Sequence, residues 1–194
     1  MNKEIQMNIN KVDTLTFDMF GTILDLGRSM IPYLNEFLNN SNFDISSDQI
    51  WDTWRDRQRI EQYQDNILML GHSGYLKTCE RALKYSLEKY EISFNKTQIK
   101  NIMDGWYYLK PFEDALKCLP KLATKYNLVV LSNGEQNYLE HLAANQLKFE
   151  FSDIISVQKA GLFKPSPAVY RKAAGILNKR VEEIMMVASH SFDI

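Results

Sequence analysis

Cysteine is almost missing from this chain: Cys79 and Cys118 are the two among 194 residues. They are isolated and show no paired spacing, which excludes a disulfide framework and a cysteine-based zinc motif. Both are expected to be reduced core thiols in a cytoplasmic protein. Histidine is nearly as scarce, and His72, His141 and His190 have no ligand spacing with cysteine or with each other, so no metal site is expected on them. An excess of one charge is also lacking: 23 Lys and Arg against 24 Asp and Glu leave a formal net charge of -1. Such a balance offers no electrostatic footprint for nucleic acid or an anionic membrane. No apolar run approaches the roughly 18 to 20 residues of a membrane span. Met1 to Lys11 is polar, lacks an apolar signal core, and reads as a loose leader. What is present is apolar bulk: 45% hydrophobic and 12% aromatic residues predict a folded globular chain. Its length suffices for one good core, or a core with a smaller lobe.

The chain is organised around Leu15-Thr16-Phe17-Asp18-Met19-Phe20-Gly21-Thr22. An apolar, β-branched run from Val12 to Phe17 ends in an acidic residue, and a glycine and a threonine follow. A buried parallel strand reads this way, with its carboxyl end opening into a loop. Ligands of open α/β sheets sit at such ends, which makes Asp18 a candidate nucleophile. A plain capping role for its carboxylate is the alternative.

From Leu26 to about Trp106 the periodicity is helical. Ile31, Leu34, Phe37 and Leu38 mark a first helix, followed by the loop Asn39 to Asn42. Ser46, Ser47 and Asp48 offer N-cap oxygens to a long helix over about Gln49 to Leu70, ended by Gly71-His72-Ser73-Gly74. Leu76, Cys79, Leu83, Leu87 and Tyr90 share one face of a third helix, and a fourth spans about Lys96 to Gly105. No strand-like run interrupts this region, so 26–106 reads as an all-helical insertion between two parts of a core domain, 1–25 and 107–194.

Strand and helix then alternate. A helix through Phe112, Ala115, Leu119 and Leu122 carries Pro120, which predicts a kink or a split. Leu128 to Leu131 is a strand ending in Ser132-Asn133-Gly134, and Tyr138, Leu142 and Ala143 mark the next helix. Ile154 to Val157 is a strand, Lys164-Pro165-Ser166-Pro167 precedes a helix through Leu177, and Met185 to Ala188 is a last strand before Ser189 to Asp193. Repeated units of this length imply an α/β fold with a doubly wound parallel sheet.

Four strand ends thus carry polar groups: Asp18 with Thr22, Ser132 with Asn133, Lys164, and Asp193. In this order and spacing they resemble the four motifs of the haloacid dehalogenase superfamily, in which a strand-end Asp attacks the substrate. The resemblance covers almost the whole chain. It implies a helical cap over the active site and a core that continues with one more helix and edge strand. The chain stops at Ile194, so the last strand is expected to have an unpaired edge, whether the sequence is incomplete, the gene product truncated, or the edge covered by a partner such as the second copy of a homodimer.

The branch follows from chemistry. The superfamily's phosphatases place a second Asp two positions after the first, to protonate an alkoxide, and recruit magnesium with further carboxylates. Here those positions are Phe20 and Ser189, whereas a halide needs no proton to leave. Asp18-Met19-Phe20-Gly21-Thr22 looks like the type II 2-haloacid dehalogenase branch, which has an aromatic at that place. Trp54-Arg55-Asp56-Arg57-Gln58 resembles that branch's Trp-Arg-x-Lys-Gln segment, which makes Arg55 the substrate- or halide-binding arginine; a solvated charged face is the alternative.

The resemblance implies a metal-independent and cofactor-free mechanism on a short 2-haloacid. Asp18 displaces halide to leave an ester, and water positioned or deprotonated by Asp193 hydrolyses it. Lys164 holds Asp18 ionised, Thr22 hydrogen-bonds near it, and the N–H groups of Met19 and Phe20 with Ser132 and Asn133 stabilise the oxyanion. Tyr170 falls where the branch places an active-site Tyr, and Phe20 and Phe192 keep the site dry. The fourth motif departs from the branch, with Ala188 and His190 standing where a Ser and an Asn are expected, so His190 enters the substrate-side set. Magnesium-dependent phosphatase chemistry and an inactive, truncated member are the competing readings.

Overall fold

The computed structural model describes residues 11–39 and 44–193. The expected leader, apart from Lys11, and the loop residues Asn40 to Asn42 lie outside the described residues. Strand β1, Thr14–Phe17, is followed by a two-residue strand β2, Leu24–Asp25. Four helices come next: α1 Leu26–Asn39, α2 Ser47–Ile67, α3 Tyr75–Lys89 and α4 Lys96–Asp104. A 3-10 turn over Gly105–Tyr108 leads to β3, Lys110–Pro111. The remainder alternates as α5 Glu113–Leu122, β4 Asn127–Ser132, α6 Gln136–Leu142, β5 Asp153–Ser156, α7 Pro167–Leu177 and β6 Ile184–Val187.

The main sheet is parallel throughout, in the order β5-β4-β1-β6. From β1 the chain winds outward through β4 to β5 and then returns to the other side of β1. The winding direction therefore reverses at β1, and the crevice of an open sheet lies at such a reversal. Successive strand residues face opposite sides. Thr16 and its neighbour Met186 line a groove with Ala173 and Ala174 of α7. Phe17 and its neighbour Val187 line another with Ala115, Leu119 and Leu122 of α5. Helices thus cover both faces, which is the doubly wound arrangement the alternation predicts.

The helical insertion packs chiefly as α2 against α3. Helix α2 starts at Ser46 with a capping box: the Ser46 hydroxyl accepts from the Gln49 N–H, and the Gln49 side chain accepts from the Ser46 N–H. It ends at Ile67 rather than Leu70, because the chain turns through positive φ at Met69 and Gly71. The polar side of α2 is not simply solvated. Glu61 and Asp65 are buried, and Arg81 of α3 pairs with Glu61 at 2.8 Å.

In three further places the structure adds to or departs from the sequence reading. Pro120 neither splits nor ends its helix: α5 continues to Leu122, and the one hydrogen bond the imide forfeits falls in the final turn. Cys118 is exposed on α5 while Cys79 is buried, so only one of the two thiols belongs to the core. The β2–β3 ribbon, Leu24 opposite Pro111 and Asp25 opposite Lys110, was not anticipated. Two residues per strand are too few to show a period of two, and the ribbon joins the two places where the chain leaves and re-enters the core. No helix among the described residues is long and apolar enough to cross a membrane.

Candidate active site

Asp18 follows β1 directly, and its N–H donates to the carbonyl of Val187 at 3.0 Å, continuing the ladder with β6. The turn beyond it is tight: the Met19 carbonyl accepts from Ile23 and Leu24, and the Gly21 N–H donates to Leu24 at 2.9 Å. Gly21 has φ +85°, and a Cβ there would stand 2.9 Å from His190 Cε1. Glycine therefore serves twice, supplying the left-handed backbone and seating the imidazole against the loop.

The Asp18 carboxylate is 5% exposed and fully engaged. Oδ1 accepts from the Ser132 hydroxyl at 3.0 Å and from Lys164 Nζ at 3.0 Å, while Oδ2 accepts from Thr22 at 3.2 Å. Lys164, 2% exposed, donates also to Asp193 Oδ2, and the other Asp193 oxygen accepts from the Tyr170 hydroxyl. One buried ammonium thus bridges two buried carboxylates, an arrangement stable only when every partner is present. Burial and the adjoining Asp193 carboxylate push the Tyr170 phenol well above its ordinary range, so it remains a donor.

The side facing the insertion is a cavity of about 40 Å³ above Asp18. The core contributes Phe20, Asn133, Lys164, His190, Phe192 and Asp193 to its wall. Helix α2 contributes Arg55, Gln58, Arg59 and Gln62, spaced i, i+3, i+4 and i+7 on one helix face, and Tyr75 opens α3. Arg55 lies over the rings of Trp51 and Trp106, 5.6 and 5.9 Å from their centroids, and donates to the side-chain Oε1 of Gln58. Phe20, standing where a phosphatase would have an acid, stacks on Tyr75 at 4.1 Å and 8°. The His190 Nδ1 is 3.9 Å from Asp18 Oδ2. Burial pushes its pKa below 6.5, a shift that Arg55 and Arg59 reinforce and Asp18 and Asp193 oppose.

Three helical-insertion side chains hold the core loops beside this cavity. Asn66 makes two bonds to the Phe163 backbone, both 2.8 Å, immediately before Lys164. Gln62 accepts from Asn133 Nδ2 at 3.1 Å, and His72 Nε2 meets the Asn133 carbonyl oxygen at 2.9 Å. Asn133 in turn accepts from the Lys164 N–H at 2.9 Å.

Residues 12–194 match the haloacid dehalogenase-like hydrolase family. The chain belongs to this family. It is 28% identical over 189 residues to (S)-2-haloacid dehalogenase 1 of Pseudomonas sp. strain CBS-3, covering 96% of this chain and 80% of that protein. It is 25% identical to haloacetate dehalogenase H-2 of Moraxella sp. strain B, over 95% of this chain and 79% of that one. The solved L-2-haloacid dehalogenase of Xanthobacter autotrophicus, with chloropropionic acid covalently bound, superposes with a TM-score of 0.82 at 24% identity, over 94% of this chain and 71% of that one. The likeness read from the motifs, to the 2-haloacid dehalogenase branch, is the likeness these relatives have.

Within the family framework most of the expected residues converge. Asp18, Thr22, Ser132, Lys164, Asp193 and Tyr170 form one hydrogen-bonded chain. Phe20, Arg55, Asn133, His190 and Phe192 line the cavity. Met19 does not: its side chain is fully buried in the core, and its N–H donates to Ser132 Oγ at 3.3 Å instead of facing the cavity. Gln58, Arg59, Gln62 and Tyr75, with Asn66 and His72 behind them, carried no distinguishing sequence signal as site residues. Helical spacing from Arg55 would have found the first three; the others depend on how the two parts of the chain meet.

Among the described residues no group of three His, Cys, Asp or Glu side chains could hold a metal ion. The donor set around Asp18 does not fit magnesium. Both of its nearby carboxylates are bonded to Lys164, and Ser189 donates its hydroxyl to the Gly21 carbonyl at 2.8 Å.

Proposed function

We propose that this chain is a hydrolytic dehalogenase of short 2-haloalkanoic acids, working through an ester on Asp18. The observation that carries the proposal is the pairing of a buried, triply hydrogen-bonded Asp18 with a small cavity roofed by Arg55. A carboxylate held by Lys164, Ser132 and Thr22 is fixed and aimed, while the buried rings of Phe20 and Tyr75 exclude water from the attacked carbon. The planar guanidinium of Arg55 suits an anionic substrate. The names of the relatives from Pseudomonas, Moraxella and Xanthobacter support the same substrate class.

Asp18 displaces the halide from the carbon next to the substrate carboxylate; the C–O bond forms as the carbon–halogen bond breaks, and the halide leaves with the electron pair. Water then attacks the carbonyl carbon of the ester. The Phe20 N–H, which has no partner among the described residues, and the Ser132 hydroxyl are placed to stabilise the oxyanion. Asp193, both of whose oxygens accept bonds from Lys164 and Tyr170, holds the lysine in position. His190, neutral near pH 7 and on the open side of Asp18, is the base that takes the water's proton. The helical insertion acts as a cap, closed onto the core by Asn66, Gln62 and His72.

The test is a single turnover in oxygen-18 water with enzyme in excess. The label is expected on the peptide containing Asp18, with the hydroxy acid unlabelled and inverted at a chiral carbon. Label in the first-turnover hydroxy acid, and none on that peptide, ends the covalent mechanism in favour of direct attack by water.

A further inference from the structure

The cavity above Asp18 has a buried floor and an open edge. Asp18, Gln58 and Tyr75 are buried, whereas the Arg59 side chain is 42% exposed, with His190 and Phe192 part-exposed on the same wall. Two guanidiniums reach this space from one face of α2. Arg55 lies inward, over the rings of Trp51 and the fully buried Trp106, and donates to the neutral side chain of Gln58. Arg59 follows one turn later, about 6 Å further along the helix axis, and pairs with Asp56 of its own helix. Both arginines are near enough to His190 to disfavour its protonated form. A substrate with one carboxylate needs one such cation, and Arg55 suffices for it. Arg59 is a second.

Asp56, the partner of Arg59, is 69% exposed, and an ion pair so open to water contributes little. An incoming carboxylate can therefore take the place of Asp56 at small cost. At the open edge that carboxylate stays partly hydrated, so the cavity does not have to desolvate a second negative charge. We infer that Arg59 is a second carboxylate-binding position, and that the substrates of this chain include short 2-halo dicarboxylic acids; the inference rests on the dehalogenase reading above. In a four-carbon acid of this kind the two carboxyl carbons stand about 4 Å apart, from carbon–carbon bonds of about 1.5 Å, a span that two long side chains one helical turn apart can meet. The chemistry is unchanged. With 2-chlorosuccinate an Asp18 oxygen bonds to the carbon bearing chlorine as chloride leaves with the electron pair. One water then restores Asp18 and gives hydroxysuccinate, with one proton released.

The experiment compares 2-chlorosuccinate with 2-chlorobutyrate, acids of equal chain length that differ by a carboxylate against a methyl group. Arg59→Gln deletes the cation, and Asp56→Asn deletes its competing carboxylate. In Arg59→Gln, kcat/KM is expected to fall about 5-fold further on chlorosuccinate than on chlorobutyrate, the upper end for a part-exposed ion pair, and chiefly through KM. In Asp56→Asn the preference for chlorosuccinate is expected to rise, a gain that a merely structural role for the pair does not give. In parallel, inert succinate and butyrate are titrated against tryptophan emission, since Trp51 and Trp106 lie under Arg55. Succinate is expected to bind the wild-type chain more tightly, and Arg59→Gln to abolish the difference. Equal losses on the two chloro acids in Arg59→Gln, or a chain that dechlorinates chlorobutyrate and not chlorosuccinate, would overturn the inference and leave the dehalogenase reading standing. Succinate bound no more tightly than butyrate would overturn it as well. Arg59-dependent preference for succinate in a chain that releases halide from neither acid would uphold the second carboxylate position and remove the dehalogenase reading instead.

Discussion

Lys164 donates to both Asp18 and Asp193 from a site 2% exposed. Lys164→Met keeps the length of the side chain and deletes the charge, leaving two buried carboxylates with no cation. Breaking a buried pair in this way costs about 3–5 kcal/mol. Urea denaturation is expected to show that loss together with abolished turnover. His190 governs a different quantity. Its pKa lies below 6.5 in the folded chain because the ring is partly buried. The base form therefore persists as pH falls through 6.5 and is lost only below that, so the rate of ester hydrolysis should decline on the acid side of 6.5. His190→Asn is expected to be slow at every pH and to lack that acid limb in single-turnover measurements. A variant that keeps the limb would assign it to another group. The same shift makes the folded state lose stability below about 6.5, where the unfolded chain binds the proton more readily. His72, also depressed by burial, acts in the same direction.

At the scale of the element, α2 does most to join the two parts of the chain. One face presents Arg55, Gln58, Arg59 and Gln62 to the cavity, and its last turn carries Asn66 to the Phe163 backbone. Asn66→Ala removes two hydrogen bonds at once, at about 0.5–1.5 kcal/mol each. A loss of roughly 1–3 kcal/mol is expected in denaturant unfolding, with a fall in kcat because the backbone next to Lys164 loses its anchor. An unchanged kcat would show that the Lys164 loop is held without it. The ion pairs on the outer side of the same helix behave differently. Arg59 and Asp56 are exposed, and such pairs contribute little. The alternative of a solvated face was thus right for part of α2 and wrong for the turn of Arg55, and only the partner surface distinguishes them.

Across the whole molecule, an aromatic seam between core and helical insertion occupies the place of the acid that phosphatase chemistry would need. Phe20 stacks on Tyr75 and Tyr138 and meets Trp106 edge-on, so the residue two positions after Asp18 packs among aromatic rings and offers no proton to a leaving group. The two site carboxylates share one cation, Lys164, as their ion-pair partner. Turnover is therefore expected to be unchanged by a chelator and unstimulated by magnesium. Magnesium-dependent cleavage of a phosphate ester would move the chain to the other branch of its family.

Much was legible in the residues before any coordinates. The strand-end positions of Asp18 and Ser132 follow from local pattern, since a buried parallel strand announces itself by an unbroken apolar run and its end by the first polar residues. The helical character of 26–106, the parallel sheet and the family likeness rest on the same kind of short-range signal. What only the tertiary structure decided depends on surfaces distant in sequence meeting face to face. Met19 turns inward because the loop after β1 bonds to Ser132, 113 residues away. Asp193 meets both Lys164 and Tyr170 because three separate loops and helices converge beside β1. Gln58 and Tyr75 line the cavity because the helical insertion meets the core there. Periodicity reports which side of an element is buried; it carries no record of what that side is buried against, and at this cavity the opposing surface determines the chemistry.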